Sequence, residues 1–206
     1  MAGDNEWISP ADAADMVYDV RAPGCEGLGY GLLRPRSKGV KRSAASLVRA
    51  KLQPVRPDAN SWRTRCGMPV TARDHRVVLA RGVPDPGSLE RLLDDYDAAQ
   101  RPHQRVLAAV LTVKLSPDEP LHDMVDCATS YAAIQLGRVR RLTSVVVLHT
   151  PADELADADP HLHICVLART HRASGWAGCH PHLTDDAHAM WADEWRNWRE
   201  GWAKWQ

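Results

Sequence analysis

The chain has 206 residues, of which 44% are hydrophobic and 25% charged, with 26 basic and 26 acidic side chains in balance. That length buries a substantial core as one domain, or as a domain with an arm. No apolar run approaches a membrane span, and the opening MAGDNEWISPADAADM lacks the basic and apolar regions of a signal peptide.

Five cysteines (Cys25, Cys66, Cys127, Cys165 and Cys179) form no CxxC pair and leave one over. This favours a reduced, cytoplasmic setting over a disulfide framework. The zero net charge hides an uneven distribution. Residues 21–76 hold thirteen Lys and Arg against three acids, whereas residues 1–20 and the stretch after about 151 lean acidic. A basic segment of that density attracts a polyanion such as nucleic acid, because releasing condensed counterions drives binding.

In chain order, residues 1–20 form an acidic lead with one helical turn in ADAADMVYD. From Ala22 to Asn60 the chain is rich in Gly, Pro and basic residues. The expected organisation is therefore a lead and basic arm over 1–75, followed by a core over 76–206. Within the arm, Arg34, Arg36, Lys38, Lys41, Arg42, Arg49 and Lys51 are the candidate nucleic-acid contacts. A helix is predicted over 43–52, apolar on one side and basic on the other. A strand follows at 76–83, then a helix at 86–100 with Ser88 as its N-cap. Residues 105–115 read as a strand, 121–139 as a long amphipathic helix, and 144–150 and 159–169 as two further strands. The loop GWAGCHPHL leads to a last helix over 185–206. This order suits an α+β fold, a central antiparallel sheet with helices packed on it.

The last helix carries Trp191, Trp195, Trp198, Trp202 and Trp205, spaced 4, 3, 4 and 3. Such a seam either packs on the sheet or offers a stacking platform for unpaired bases, and its regularity favours packing.

Three histidines carry the chemistry. His149 ends the strand SVVVLH, and His161 and His163 open the strand HLHICVL. Successive strand residues alternate faces, so His161 and His163 point the same way. If the strands pair as a long-loop hairpin, all three imidazoles meet at its open mouth. There they can hold Zn²⁺, Mn²⁺ or another divalent ion and leave coordination positions open. A second HxH, His180 and His182, lies beside Cys179 and His171 but lacks the spacing of a zinc finger. The acids Asp153, Glu154, Asp157 and Asp159 border the histidine mouth, with Asp159 nearest the pair.

With these neighbours the chain resembles the HUH endonucleases, specifically the MobA/MobL-type relaxases of mobilisable plasmids. The resemblance runs from about 97 to 200, through RVLAAVLTVKLSPDEP, LTSVVVLHTP, DPHLHICVLART, GWAG and WADEWRN. It implies an HUH palm in which His149, His161 and His163 are the ligands of a divalent metal ion (Mn²⁺, Mg²⁺ or Zn²⁺). It also implies metal-dependent nicking and strand transfer on single-stranded DNA in plasmid or mobile-element processing, with accessory mobilisation proteins as partners. In the family a tyrosine attacks the phosphate and leaves a 5′-phosphotyrosine link.

GVKRSAASLVRAKL, residues 39–52, looks like the family's first motif, yet Val48 stands where the tyrosine belongs. The acidic residue common near the end of the family's earlier strand also has no counterpart in VLTVKL, residues 110–115. No tyrosine follows the HUH strand. Tyr30, in GLGYG, is the best remaining nucleophile candidate, ahead of Tyr96 and Tyr131 in predicted helices. Two alternatives stand beside a nicking enzyme: a DNA-binding descendant that has lost the nucleophile, and a metal-dependent phosphoesterase that uses bound water.

Overall fold

The computed structural model describes residues 7–25, 27–116, 118–150 and 159–204. It begins with helix α1 (Pro10–Met16), strands β1 (Val17–Val20) and β2 (Leu28–Leu33), and a small hairpin of β3 (Arg36–Ser37) and β4 (Val40–Lys41). Helix α2 (Ala44–Leu52), the hairpin β5 (Trp62–Arg63) and β6 (Pro69–Val70), strand β7 (Asp74–Val78) and helix α3 (Leu89–Ala98) follow. Next come β8 (Ala108–Lys114), α4 (Leu121–Tyr131) and a π-helical segment, Ala132–Val139. Strands β9 (Ser144–His149), β10 (His161–Leu167), β11 (Arg169–Arg172) and β12 (Gly175–Cys179) lead to the last described helix, α5 (His188–Trp202).

Six strands form one sheet in the order β1-β2-β8-β10-β9-β7, and every neighbouring pair is antiparallel. Helices cover both faces, which is why β9 and β10 are almost uninterrupted apolar runs. Val110, Val145, Val147, Cys165 and Leu167 pack with α2 and α3. On the other face Leu111, Val146, Leu148, Leu162 and Ile164 pack with α4 and α5. The expected α+β class, an antiparallel sheet carrying packed helices, is what the chain forms.

The division at 75/76 does not survive. Strand β7 crosses that boundary, and residues 17–33 supply two strands of the sheet. The GLGYGLL run misleads because its glycines suggest a flexible linker. They mark close approach instead: a Cβ on Gly29 would lie 3.2 Å from Thr112 Cβ, and one on Gly31 3.3 Å from Val17. Helix α2 is equally integral. The Ser43 hydroxyl caps it by accepting from Ser46 N–H, the Asp97 carboxylate of α3 accepts from Ala44 and Ala45 N–H at 2.9 Å each, and Leu47, Val48 and Leu52 are fully buried.

Other boundaries shift. Helix α3 starts at the predicted Ser88 cap, whose hydroxyl accepts from Arg91 N–H. The strand expected at 76–83 runs two residues earlier and ends at Val78. The helix expected over 121–139 is α-helical only to Tyr131, then widens to π geometry. There the Gly137 carbonyl accepts from Arg81 N–H, and a Cβ on Gly137 would come 3.0 Å from the Leu79 carbonyl. The tryptophan seam packs rather than presents a platform. Trp191 and Trp195 are buried, Trp198 and Trp202 lie against the same core, and Tyr131 meets Trp195 and Trp198 edge-on. Trp205 lies outside the described residues. All five cysteines are free. Among the described residues no helix is long and apolar enough to cross a membrane.

Candidate metal centre

Strands β9 and β10 pair with His161 directly opposite His149, and His163 opposite Val147. The two-residue alternation of β10 then puts His161 and His163 on one face, where His149 joins them. Their ring centroids are 4.8 to 5.0 Å apart, and one ligand atom from each lies within 4.8 Å of the others. Among the described residues these three form the group of metal-capable side chains that converges.

The surroundings orient each ring. His161 Nδ1–H donates to the Asp159 carbonyl at 2.9 Å, which leaves the Nε2 lone pair for a ligand. His163 Nδ1 meets the Thr112 hydroxyl at 3.0 Å, and donation from that nitrogen likewise leaves Nε2. His149 Nε2–H donates to the Lys51 carbonyl at 2.6 Å, so its Nδ1 keeps a lone pair. A carbonyl or hydroxyl partner on the far nitrogen is the usual support of a metal-bound imidazole. Burial, reinforced by Lys51 and the two neighbouring imidazoles, holds His163 well below the ordinary histidine range and therefore neutral. Neutral nitrogen donors on rigid strands fit a first-row divalent ion, and Pro10, Ala13, Ala50, Lys51 and Pro54 close a pocket of about 240 Å³ over them.

Two lysines flank this pocket. Lys51, at the end of α2, lines it. Lys114 of β8 stands opposite His161 on the side away from His149, with its side chain exposed. Thr112 and Lys114 went unremarked in the sequence as site residues. Their signal was a T-x-K alternation closing an otherwise apolar strand, which puts two polar groups on one face.

Tyr30 is not brought to this site. It pairs with Leu111 in β8, so its side chain faces α5, on the opposite side of the sheet from His163. Only 1% of it is exposed, its hydroxyl donates to the Thr184 carbonyl at 3.1 Å, and burial raises its pKa, which disfavours the phenolate. The nucleophile assigned to Tyr30 is therefore corrected: it is a core residue. Tyr18 lies on the same face as Tyr30, with the Arg34 guanidinium over its ring at 4.7 Å. Tyr131 packs against α5. Tyr96 donates to Leu107, near the far end of β8. Val48 is buried under α2 among Leu47, Leu52 and Val147, pointing into the core rather than the pocket.

The seven basic candidates divide between two places. Arg49 and Lys51 sit in the last turn of α2, where Lys51 lines the histidine pocket and Arg49 the depression beside it. Arg34, Arg36, Lys38, Lys41 and Arg42 follow β2 from the other end of the sheet, where Leu33 pairs with Ala108. Six residues of β8 separate that end from Lys114, a span of about 20 Å. There Arg34 pairs with Asp185 at 2.9 Å, and Lys38 with Asp15 at 2.8 Å.

The second HxH does not gather ligands. His171 stacks on Trp176 at 3.6 Å and meets the Thr143 hydroxyl, while His180 and His182 lie 4.9 Å apart beside Arg140. Of the neighbouring acids, Asp159 contributes its main-chain oxygen, and Asp153, Glu154 and Asp157 lie outside the described residues.

No family model matches the chain, and no curated protein matches it. Among solved structures it is similar to one concerning the molecular basis of vancomycin resistance transfer in Staphylococcus aureus, with a TM-score of 0.53 and 13% identity. The match covers 65% of this chain and 70% of that one. At that identity the likeness concerns the fold. The antiparallel palm with helices on both faces agrees with the relaxase-like fold that the sequence resemblance implied.

Proposed function

We propose that this chain is a relaxase-like DNA-binding protein in mobile-element processing, which holds a single-stranded DNA phosphate at its histidine centre without forming a tyrosyl link. One observation carries this: His149, His161 and His163 converge beside Lys51 and Lys114, while all four tyrosines of the chain sit away from them. A divalent ion, when bound, supplies Lewis-acid polarisation of a phosphate oxygen. The imidazoles hold that ion, Lys51 and Lys114 offset the charge of the phosphate, and the pocket beneath Pro10 and Pro54 limits the water around it. The attacking group of the family has no counterpart in reach, because Tyr30 faces the other side of the sheet and Val48 stands in the first motif. The resemblance to mobilisation relaxases and the fold shared with a chain concerned with resistance transfer support the same assignment.

Labelled single-stranded DNA incubated with the protein and Mn²⁺ tests it, using a native gel for binding and a denaturing gel for products. The expected outcome is bound, intact DNA, with binding that weakens steeply as salt rises. A protein-linked band on the denaturing gel overturns the loss of tyrosyl chemistry. Free cleaved product overturns it in favour of hydrolysis by bound water.

A further inference from the structure

Beside the histidine pocket runs a second, larger depression that the relaxase resemblance does not assign. Residues 53–73 carry four arginines against one acid, Asp58. They fold back as the β5–β6 hairpin, pinned to α3 where Glu90 accepts from the Thr64 hydroxyl and from Met68 N–H. Gln53 Nε2 also donates to the Pro69 carbonyl at 2.8 Å. Between this hairpin and α2 lies an open groove of about 760 Å³, lined by Arg49, Arg56 and Arg63 together with Trp7, Asp58 and Glu90. Asp58 is engaged within its own loop, accepting from Asn60 N–H and the Ser61 hydroxyl. Gln53 lines the groove and the next residue, Pro54, lines the histidine pocket, so the two depressions adjoin.

One side chain at this place is unexplained by packing. Trp62 is 60% exposed, although tryptophan is usually well buried. Its ring leans on His75 with centroids 5.5 Å apart. His75 pairs with Val147, which pairs with His163, so the three occupy one row on the same face of the sheet. Two strand spacings put His75 about 10 Å from His163. Trp62 does not line the groove: it precedes Arg63 in β5, so the two side chains take opposite faces of the hairpin. An exposed aromatic face therefore stands near the histidine centre, across the β5 edge from the three arginines.

We propose that this groove is the track for the strand and that the strand leaves it over the β5 edge: Arg56 and Arg63 hold phosphates in the groove, and Trp62, on the other face of the hairpin, stacks on an unpaired base beyond it. It rests on the DNA-binding function proposed above. The aromatic face selects single strands, since duplex bases are already stacked on each other and offer it nothing. The β3–β4 hairpin, with Arg36 and Lys41, emerges at the opposite end of the sheet and is not part of the track.

Fluorescence anisotropy with a labelled single-stranded oligonucleotide and Mn²⁺ tests this, alongside the same sequence as a duplex. Trp62→Ala weakens single-strand binding about tenfold or more, and Trp62→Tyr restores most of it. The pair Arg56→Ala and Arg63→Ala weakens it and lowers the slope of log affinity against log salt by roughly 1 to 2. The pair Arg138→Ala and Arg196→Ala, exposed on the helical segments of the opposite face, changes affinity less than twofold. Melting temperature and metal content stay at wild-type values throughout, which excludes misfolding as the cause. If the wild-type protein binds but the Trp62 and arginine variants bind equally well, or the duplex binds as tightly, the track is wrong while the DNA-binding function stands. If the wild-type protein binds no single strand, both fall.

Discussion

Thr112 decides how His163 is presented. Its hydroxyl is 3.0 Å from Nδ1, on the strand that pairs directly with β10. Gly29 leaves the space it occupies. Thr112→Val keeps the shape and removes the partner, so affinity for Zn²⁺ or Mn²⁺ should drop roughly 10- to 100-fold, with Thr112→Ser recovering most of it. Titration calorimetry measures both. Unchanged affinity in the valine variant would mean that packing alone fixes the ring. The histidines themselves were legible in the sequence because alternation along one strand is a local property. Thr112 was not, because its partner lies 51 residues away and the register joining them is set by the whole sheet.

At the scale of elements, α5 shows how one pattern supports two functions until packing chooses. Trp191 is fully buried, donates from Nε1 to the His182 carbonyl at 2.9 Å and lies beneath the Arg140 guanidinium at 4.7 Å. Arg140 in turn pairs with Glu194, one turn further along the helix. Trp191→Ala should cost about 3–5 kcal/mol, whereas Trp202→Ala, at the partly exposed end, should cost clearly less. Urea denaturation of the two variants checks the gradient, and equal losses would contradict a seam buried from its N-terminal end. Helix α2 was predicted at 43–52 and forms from Ala44 to Leu52, since its cap and its apolar spacing are both local. What it touches was not predictable from those features. Its last carbonyls close on His149, and its first N–H groups are capped from α3.

For the whole molecule, the buried imidazole of His163 and the half-buried one of His180 both weigh on the acid side of stability. Burial, the Lys51 charge and its histidine neighbours hold His163 down, and burial with His182 and Arg140 lowers His180 to about 4. In the unfolded chain both titrate at about 6.5. Between that value and about 4 the unfolded state binds more protons than the folded state, so stability is fully present above about 6.5 and declines as pH falls. With a chelator present, the urea midpoint should therefore drop steadily from pH 7 to pH 5. A flat profile would show that these rings are not neutral in the folded chain. At pH 7, Zn²⁺ or Mn²⁺ at about a hundred times its dissociation constant should add about 2.7 kcal/mol, an increment that changing His161 and His163 to Ala removes.

By itself, the sequence determined the α+β class, the two strands that carry the histidines, the Ser88 cap of α3, and the convergence of His149, His161 and His163. Each follows from short-range periodicity and from one hairpin. Only the tertiary structure decided that residues 17–52 belong to the core, that Tyr30 faces away from the histidines, and that the basic residues divide between two ends of the sheet. A strand's apolar run reads the same whichever neighbour it pairs with, and a glycine reads the same in a linker as in a close contact. Pairing with β8 fixed both, by setting which face each residue of β2 would occupy.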